Sequence, residues 1–208
     1  MLNQISSALH RNDEEPNVQL AEKLARTQDS AGISEVVSGL VMDKATANDC
    51  IKVLYEIGER KPALIAPYVD AFLSLLASKN NRLVWGGMTA LAQITALCPE
   101  KVFARWGELY AAFETGSVIT IDNGISVFAC LCKAGSEYAE IVWPVLMNHF
   151  AGCRAKEIPQ HLERAIGCVT HDNAKQFQAL IQRRYGELTK PQQARVDKVL
   201  QKMDCLCD

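Results

Sequence analysis

The sequence predicts an all-α fold, a right-handed α-α superhelix (solenoid) of about five helical pairs. Two observations lead to this prediction. The middle of the chain matches itself without a gap at an offset of 37 residues, and the apolar residues of each repeat follow a helical spacing. A helical pair of this length cannot bury its apolar faces alone, so neighbouring pairs must stack. The length of 208 residues therefore reflects the number of repeats and not the number of globular domains.

The inner helix of each repeat is predicted from four apolar columns. Within a repeat the columns are spaced 4, 3 and 3 residues apart, which places the side chains on one face of an α-helix. We expect this face to be buried between repeats. The columns are Ala47, Val84, Ile121 and Ile158; Ile51, Met88, Ile125 and Leu162; Leu54, Leu91, Phe128 and Ala165; and Ile57, Ile94, Leu131 and Cys168.

The outer helix obeys the same period. Pro62 and Pro99 are 37 residues apart and stand near helix starts, where the missing N–H of proline costs little. Trp106 with Trp143, and Phe113 with Phe150, repeat at the same offset. The expected core positions are Ile65, Val69, Phe72, Leu73 and Leu76; Val102, Trp106, Leu109, Tyr110 and Phe113; and Ala139, Trp143, Leu146, Met147 and Phe150.

The turns between these helices carry residues that start and stop helices. Asn80 and Asn81 precede the helix that holds Trp85, and Gly116 and Ser117 precede its equivalent one repeat later. The dipeptide Gly86-Gly87 lies inside a helical pattern, so we expect it to allow close packing and not to bind a phosphate.

The two ends deviate from the period, as terminal repeats do. Ile33, Val37, Leu40 and Val41 match the outer-helix core at an offset of 32, and a capping helix begins near Pro16. We expect a single repeat domain over residues 1–208. Its predicted parts are capping helices over 1–29, repeats over 30–188, and a polar capping helix with a tail over 189–208 that begins at Thr189-Lys190-Pro191.

The composition excludes several classes of protein. The 22 basic and 24 acidic side chains give a net charge of −2, and nucleic-acid-binding modules carry a basic excess, so no nucleic-acid partner is expected. The N-terminus lacks the pattern of a signal peptide, and no run of about 18 apolar residues predicts a transmembrane helix. We therefore expect a cytoplasmic protein without a membrane partner, in which most of the eight cysteines are reduced packing residues.

The repeat resembles the HEAT repeat, most clearly from Pro62 to Ala134. Three features carry the resemblance: the early proline, the 37-residue period and the tight apolar inner helix. Asn80, Asn81 and Arg82 are similar to the acidic and basic pair of the HEAT consensus in one repeat, whereas Ser117 to Thr120 lack the basic residue. Armadillo repeats are the second candidate, although their third helix would need a longer unit.

The resemblance also implies enzyme classes that this scaffold can carry. A di-iron family uses His-Glu dipeptides, and none of the four histidines here is followed by glutamate. HEAT-like DNA glycosylases use aromatic residues and an aspartate on a basic face. Trp85 and Asp122 match the aromatic residue and the aspartate, but few basic residues lie at the neighbouring positions. Nothing is diagnostic for bilin lyases. An enzyme or accessory factor that binds a DNA base, a bilin or a metal remains the alternative.

One stretch of the sequence contains several cysteine and histidine residues, which are common metal ligands. Cys153, His161, Cys168 and His171 could in principle form a tetrahedral zinc site. Cys168 shares a core column with aliphatic residues, however, and the spacing is not a recognised knuckle, so we predict no metal and no cofactor. The positions equivalent to His161 in the other repeats hold small residues, namely Cys50, Gly87 and Gly124. A hydrogen-bonded histidine at a helix interface is therefore expected. Cys205 and Cys207 are expected to be free thiols.

The leading hypothesis is a non-catalytic scaffold that binds another protein or peptide along its concave face. Inner helices line that face in helical repeat proteins. Trp85 beside Arg82 is typical of a binding hot spot, with packing against the neighbouring repeat as the alternative role of Trp85. Tyr55 is assigned to packing, and Asp49 to an exposed position. The oligomeric state stays open. The predicted partner-binding residues are Asn48, Lys52, Arg82, Trp85, Thr89, Asp122 and Asn123.

Overall fold

The computed structural model describes residues 1–204, and within them every regular element is a helix. Short 3-10 turns connect or extend many of the α-helices. The α-helices are α1 (Glu15–Thr27), α2 (Ser30–Ser38), α3 (Lys44–Arg60), α4 (Val69–Leu75), α5 (Asn81–Ile94), α6 (Pro99–Phe103), α7 (Trp106–Thr115), α8 (Val118–Ala134), α9 (Ser136–Gly152), α10 (Ile158–Ala165), α11 (His171–Arg184) and α12 (Lys190–Asp204).

The helices form two compact bodies. The N-terminal body comprises Met1–Val127, and the C-terminal body begins at Phe128. In the N-terminal body α3 packs against α1, α2 and α5, and α5 packs against α4. In the C-terminal body α9 packs against α11, and α12 packs against α10 and α11.

The inner helices α3, α5, α8 and α10 bury the columns that the sequence predicts. Ile51, Met88, Ile125 and Leu162 are fully buried, and the columns that follow them along each helix are buried as well. Val84 and Ile121, in the first turns of α5 and α8, are half-buried. The apolar stripe is thus confirmed, with its edge at the helix starts.

The outer helices differ from the expectation of one continuous helix. The outer segment of the first repeat consists of two 3-10 turns, Pro62–Leu64 and Ala66–Tyr68, followed by α4. The next outer segment is divided into α6 and α7, and α6 begins with Pro99 at its first position. Proline lacks the N–H that would continue a helix, which explains the separate start at each proline. The outer segment around Pro99 therefore holds a short additional helix, α6, within the 37-residue period.

The terminal predictions are confirmed in part. Helix α1 begins at Glu15, next to Pro16, and α12 begins at Lys190, so both helices begin where the sequence predicts a helix start. The prediction that Val41 lies in the core is wrong, because 89% of the Val41 surface is exposed. Helix α2 ends at Ser38 and the chain continues as a 3-10 turn, which changes the angular period and turns Val41 outward.

The glycine pair of α5 lies at close helix contacts, as the sequence predicts. A Cβ at Gly86 would lie 2.5 Å from Ile51 Cγ1 on α3, and a Cβ at Gly87 would lie 3.0 Å from the carbonyl oxygen of Phe72 on α4. The corresponding Gly124 on α8 would place a Cβ 2.6 Å from Phe113 Cδ2 on α7. Small residues in this column allow the inner helices to approach their neighbours.

The three tryptophans are divided between the two bodies. Trp85 and Trp106 belong to the N-terminal body, where Trp106 stacks on Phe103 and Tyr110 with ring centroids 6.1 and 5.7 Å apart. Trp143 belongs to the C-terminal body and contacts Phe177 edge-on at 5.3 Å. Each body therefore has an aromatic cluster of its own.

No helix within residues 1–204 is both long enough and apolar enough to span a membrane.

Candidate partner-binding face

Seven side chains on three consecutive inner helices form a polar and aromatic surface, which we call the Trp85 face. Its members are held by contacts between α3, α5 and the first turns of α8, all within the N-terminal body. The face consists of Asn48, Lys52 and Tyr55 from α3, Arg82, Trp85 and Thr89 from α5, and Asn123 from α8.

Trp85 lies at the centre of this face and is half-buried. Its ring centroid is 5.8 Å from that of Tyr55 on α3, and the guanidinium carbon of Arg82 is 5.5 Å from the Trp85 ring. Trp85 therefore packs on the preceding inner helix, as the alternative interpretation holds, and still presents part of its surface. The cation-π contact fixes the direction of both side chains.

Arg82 connects the start of α5 to two other segments. Its guanidinium forms an ion pair with Glu14, just before α1, and its Nε lies 3.5 Å from the carbonyl oxygen of Asn48. The backbone N–H of Arg82 donates to Asn80 Oδ1, and Asn80 Nδ2 donates to Asn48 Oδ1 at 2.8 Å. The predicted cap at Asn80 is thus present, and it also orients the Asn48 amide.

Lys52 lies in a charged row along α3. Its ammonium is 2.6 Å from Glu56 and 4.9 Å from the centre of the Tyr55 ring. Burial acts to lower the pKa of Lys52, but the hydrogen bonds and charges of Glu56 and Tyr55 together outweigh it, and the pKa is raised. Burial also raises the pKa of Tyr55. The lysine is therefore a fixed cation that neutralises a carboxylate of its own helix.

Thr89 and Asn123 join α5 to α8. Asn123 Nδ2 donates to Thr89 Oγ1 at 3.0 Å and to the carbonyl oxygen of Ile119, while the Thr89 hydroxyl donates to the carbonyl oxygen of Trp85. Asp122 precedes Asn123 on α8 and is half-buried. The structure thus brings Asn48 close to Arg82 and joins Thr89 to Asn123. Lys52 contacts the Tyr55 ring, and Arg82 contacts the Trp85 ring.

The start of α3 is covered, contrary to the expectation for Asp49. Only 9% of Asp49 is exposed, because its carboxylate accepts from the backbone N–H of Ser7 and from Asn17 Nδ2. The N-terminal segment lies over this position. It leaves an open cleft of about 490 Å³ whose lining includes Glu14, Asn48 and Arg82.

The cysteine and histidine stretch separates into different places of the C-terminal body. Cys153 and His161 meet His149, and their ligand atoms lie within 4.8 Å of one another. Cys168 instead shares a hydrogen bond with Cys132, and its Sγ lies 3.0 Å from the carbonyl oxygen of Ala165. His171 is exposed beside Asp172. Cys205 and Cys207, expected to be free thiols, lie outside the described residues.

His161 is hydrogen-bonded at a helix interface, as expected, and it is fully buried. Its Nδ1 lies 2.9 Å from His149 Nε2 at the end of α9. Burial raises the pKa of the Cys153 thiol, and Arg184, whose Nη1 is 3.7 Å from Cys153 Sγ, acts in the opposite direction. A hydrogen bond from Arg154 lowers the pKa of the adjacent Glu157.

Sequence reasoning missed three residues of these sites. Glu14 pairs with Arg82 across 68 positions of sequence, and no local pattern could have indicated this contact. Tyr55 was assigned to packing alone because its column continues as apolar residues. His149 could have been found, since it stands four residues before Cys153 and this spacing places both on one helix face.

Comparisons with solved structures place this chain beside designed armadillo-repeat proteins. One such protein gives a TM-score of 0.66 at 13% identity, with 98% of this chain and 100% of the other covered. A computationally designed armadillo-repeat protein for modular peptide recognition gives 0.68 at 13% identity, with 96% and 97% covered. A designed armadillo-repeat protein in complex with the peptide (KR)4 gives 0.67 at 12% identity, with 97% and 99% covered.

No protein-family model matches the sequence, and no curated protein matches it. The structural similarity nevertheless confirms the predicted fold class, an α-α superhelix of helical repeats. In fold, the repeats are similar to those of the designed armadillo-repeat proteins. The finer resemblance to HEAT repeats stays a prediction.

Proposed function

We propose that this protein is a non-catalytic helical-repeat scaffold that binds a segment of another protein along the Trp85 face. The observation that carries the proposal is the Arg82–Trp85–Tyr55 cluster, which is half-buried and held in place from three sides. Tryptophan, tyrosine and arginine dominate binding hot spots because they offer large contact areas. Side chains that are already fixed lose little conformational entropy when a partner binds.

The polar members of the face suit the main chain of an extended segment. Asn48 and Asn123 each carry a donor and an acceptor on one amide, and Thr89 carries both on its hydroxyl. Hydrogen bonds within the protein set the directions of these groups before any partner arrives. The proposed partner-binding residues are those predicted from the sequence, Asn48, Lys52, Arg82, Trp85, Thr89, Asp122 and Asn123, together with Tyr55.

The charge of the face favours a partner of balanced charge. Lys52 is paired with Glu56, and Arg82 is paired with Glu14, so neither sign dominates. One similar designed protein forms a complex with the peptide (KR)4, and another was designed for modular peptide recognition. We carry over to this chain only peptide binding and not the preference for basic residues.

The proposal also covers the domain organisation and the location of the protein. We propose one functional domain with capping helices over residues 1–29, repeats over 30–188 that descend from a HEAT-like pattern, and a capping segment over 189–208. We also propose a cytoplasmic location. The alternative of an enzyme or accessory factor has support only for metal binding, through His149, Cys153 and His161.

The proposal is tested by selecting peptides from a displayed random library against the full chain and measuring their dissociation constants by fluorescence anisotropy. We expect Trp85→Ala to weaken the selected peptides by about 30-fold, the size of a typical hot-spot loss. Trp106→Ala, which truncates another half-buried tryptophan on α7, is the matched control and should change affinity less than about 3-fold. Failure to select any peptide, or equal losses in the two variants, contradicts the proposal.

A further inference from the structure

Three ligand-type side chains converge where α9 ends and α10 begins. His149 lies in the last turn of α9, and Cys153 is the residue that caps its C-terminus. His161 lies on α10 and is fully buried. His149 Nε2 and His161 Nδ1 are 2.9 Å apart, and one ring nitrogen of each histidine lies within 4.8 Å of Cys153 Sγ.

The separation of the two histidine nitrogens is close to that in a zinc site, and the 4.8 Å limit for the sulfur requires Cys153 Sγ to move inward by no more than about 1.5 Å. Tetrahedral zinc with Zn–N bonds of about 2.0–2.1 Å and a Zn–S bond of about 2.3 Å places its ligand atoms roughly 3.3–3.6 Å apart. The two histidine nitrogens would therefore move apart by only about 0.4 Å. Two imidazoles and one thiolate are a donor set that zinc prefers over magnesium or calcium.

The loop between the ligands is fixed by its own contacts. The 3-10 turn Ala155–Glu157 carries a capping box in which Arg154 Nε donates to Glu157 Oε1 at 2.9 Å. Arg184 of α11 holds the end of α9, because its Nη1 donates to the carbonyl oxygen of Phe150 at 2.9 Å. Preorganised supporting contacts of this kind keep metal ligands at their working distances.

The charges around the cluster are balanced, because Arg184 pairs with Glu187 and Arg154 pairs with Glu157. Arg184 faces Cys153 but forms an ion pair with Glu187 at 2.6 Å. The Glu157 carboxylate faces His161 and is only 13% exposed. The thiolate that zinc requires would be stabilised by the metal and by Arg184.

We propose that His149 Nε2, Cys153 Sγ and His161 Nδ1 form a three-ligand zinc site whose fourth position takes a water molecule. This inference does not depend on the proposed peptide binding. On binding, Cys153 releases its thiol proton to solvent and forms the Zn–S bond. The proton now shared between the two imidazoles moves to a ring nitrogen that faces away from the metal, so both rings coordinate as neutral donors.

The test uses the full chain with Cys205→Ser and Cys207→Ser, so that thiols outside the described residues cannot supply a ligand. After treatment with a chelator, Zn²⁺ binding is measured by calorimetry and Co²⁺ binding by absorption. We expect one equivalent of Zn²⁺ with a dissociation constant below about 1 µM. We also expect a thiolate-to-cobalt charge-transfer band in the near ultraviolet.

Cys153→Ser should remove the cobalt band and weaken Zn²⁺ binding at least about 100-fold, because it removes the sulfur ligand. His171→Gln and Cys98→Ser change a histidine and a cysteine outside the cluster and should bind as the parent does. If Cys153→Ser loses its helical circular dichroism signal, His149→Gln at a half-buried position is judged by the same loss of affinity. A parent chain without stoichiometric Zn²⁺, or a cobalt band that persists in Cys153→Ser, overturns the proposal.

Discussion

At the scale of single residues, Gly86 decides how closely α5 approaches α3. Alanine has the higher helix propensity, but its Cβ would lie 2.5 Å from the stiff, β-branched side chain of Ile51. We expect Gly86→Ala to lower the free energy of unfolding by about 1–2 kcal/mol, as overpacked cores do. Gly107→Ala on α7 is the control, because its Cβ meets no atom within 4 Å. It should raise stability by about 0.5–1 kcal/mol. Urea denaturation measures both, and equal signs would contradict the packing argument.

Residue-level predictions succeeded where a column repeats and failed where a distant segment intervenes. The small column at Gly87 and Gly124 indicates close packing because three repeats agree. Asp49 looks exposed on its own helix, yet the N-terminal segment covers it and supplies hydrogen bonds from Ser7 and Asn17. When a segment distant in sequence covers a residue in this way, no periodic pattern in the sequence indicates it.

At the scale of elements, Glu56 bridges two cations along α3. It accepts from Lys52 and Arg60, both at 2.6 Å, and its side chain is 13% exposed. Burial raises the pKa of Glu56, but these hydrogen bonds outweigh it and the pKa is lowered from 4.5. We expect Glu56→Gln to reduce the free energy of unfolding at pH 7 by about 1 kcal/mol.

The pH dependence has a definite sign. A carboxyl with a lowered folded pKa stabilises the fold fully above its unfolded pKa, near 4.5, and this contribution is lost as the pH falls through the folded value. The difference between parent and Glu56→Gln in urea titrations should therefore shrink to zero in that range. Glu59→Gln, an exposed neighbour on α3, should differ from the parent by less than about 0.5 kcal/mol at every pH. A constant difference for Glu56→Gln would contradict the linkage.

Element boundaries were predictable where a cap or proline marks them. Asn80 caps α5, Pro16 stands at the start of α1, and Pro191 stands at the start of α12. The division of an outer segment into α6 and α7 was not predictable, because Ala104 and Arg105 carry no helix-breaking side chain. Apolar periodicity continues across that break, so the pattern predicts one helix where the backbone forms two.

At the scale of the whole molecule, the charge is balanced locally as well as in total. Within residues 1–204 many arginines form ion pairs with carboxylates, so they are not available as a basic stripe for phosphates. We expect no salt-dependent binding to duplex DNA between about 50 and 200 mM salt, measured by fluorescence anisotropy. Binding that weakens steeply with salt would contradict this. The pairs are Arg11–Asp13, Arg60–Glu22, Arg82–Glu14, Arg105–Glu108, Arg154–Glu157, Arg184–Glu187 and Arg195–Glu163.

The architecture was the most predictable level, because a 37-residue period repeats the same evidence several times along the chain. The candidate face was predictable only in its main residues. Trp85 and Arg82 stand outside the apolar face of an inner helix, whereas Glu14 reaches Arg82 from before α1. Contacts between ligands such as His149 and His161 require the fold, because the turn between α9 and α10 sets their distance.

The distribution of the tryptophans gives each body an optical signal. Trp143 is the tryptophan of the C-terminal body, whereas Trp85 and Trp106 belong to the other. In a chain that carries Trp85→Phe and Trp106→Phe, indole emission arises from Trp143 alone, next to Phe177. Fluorescence of that chain, compared with circular dichroism of all the helices, reveals whether the two bodies unfold in one transition or in two.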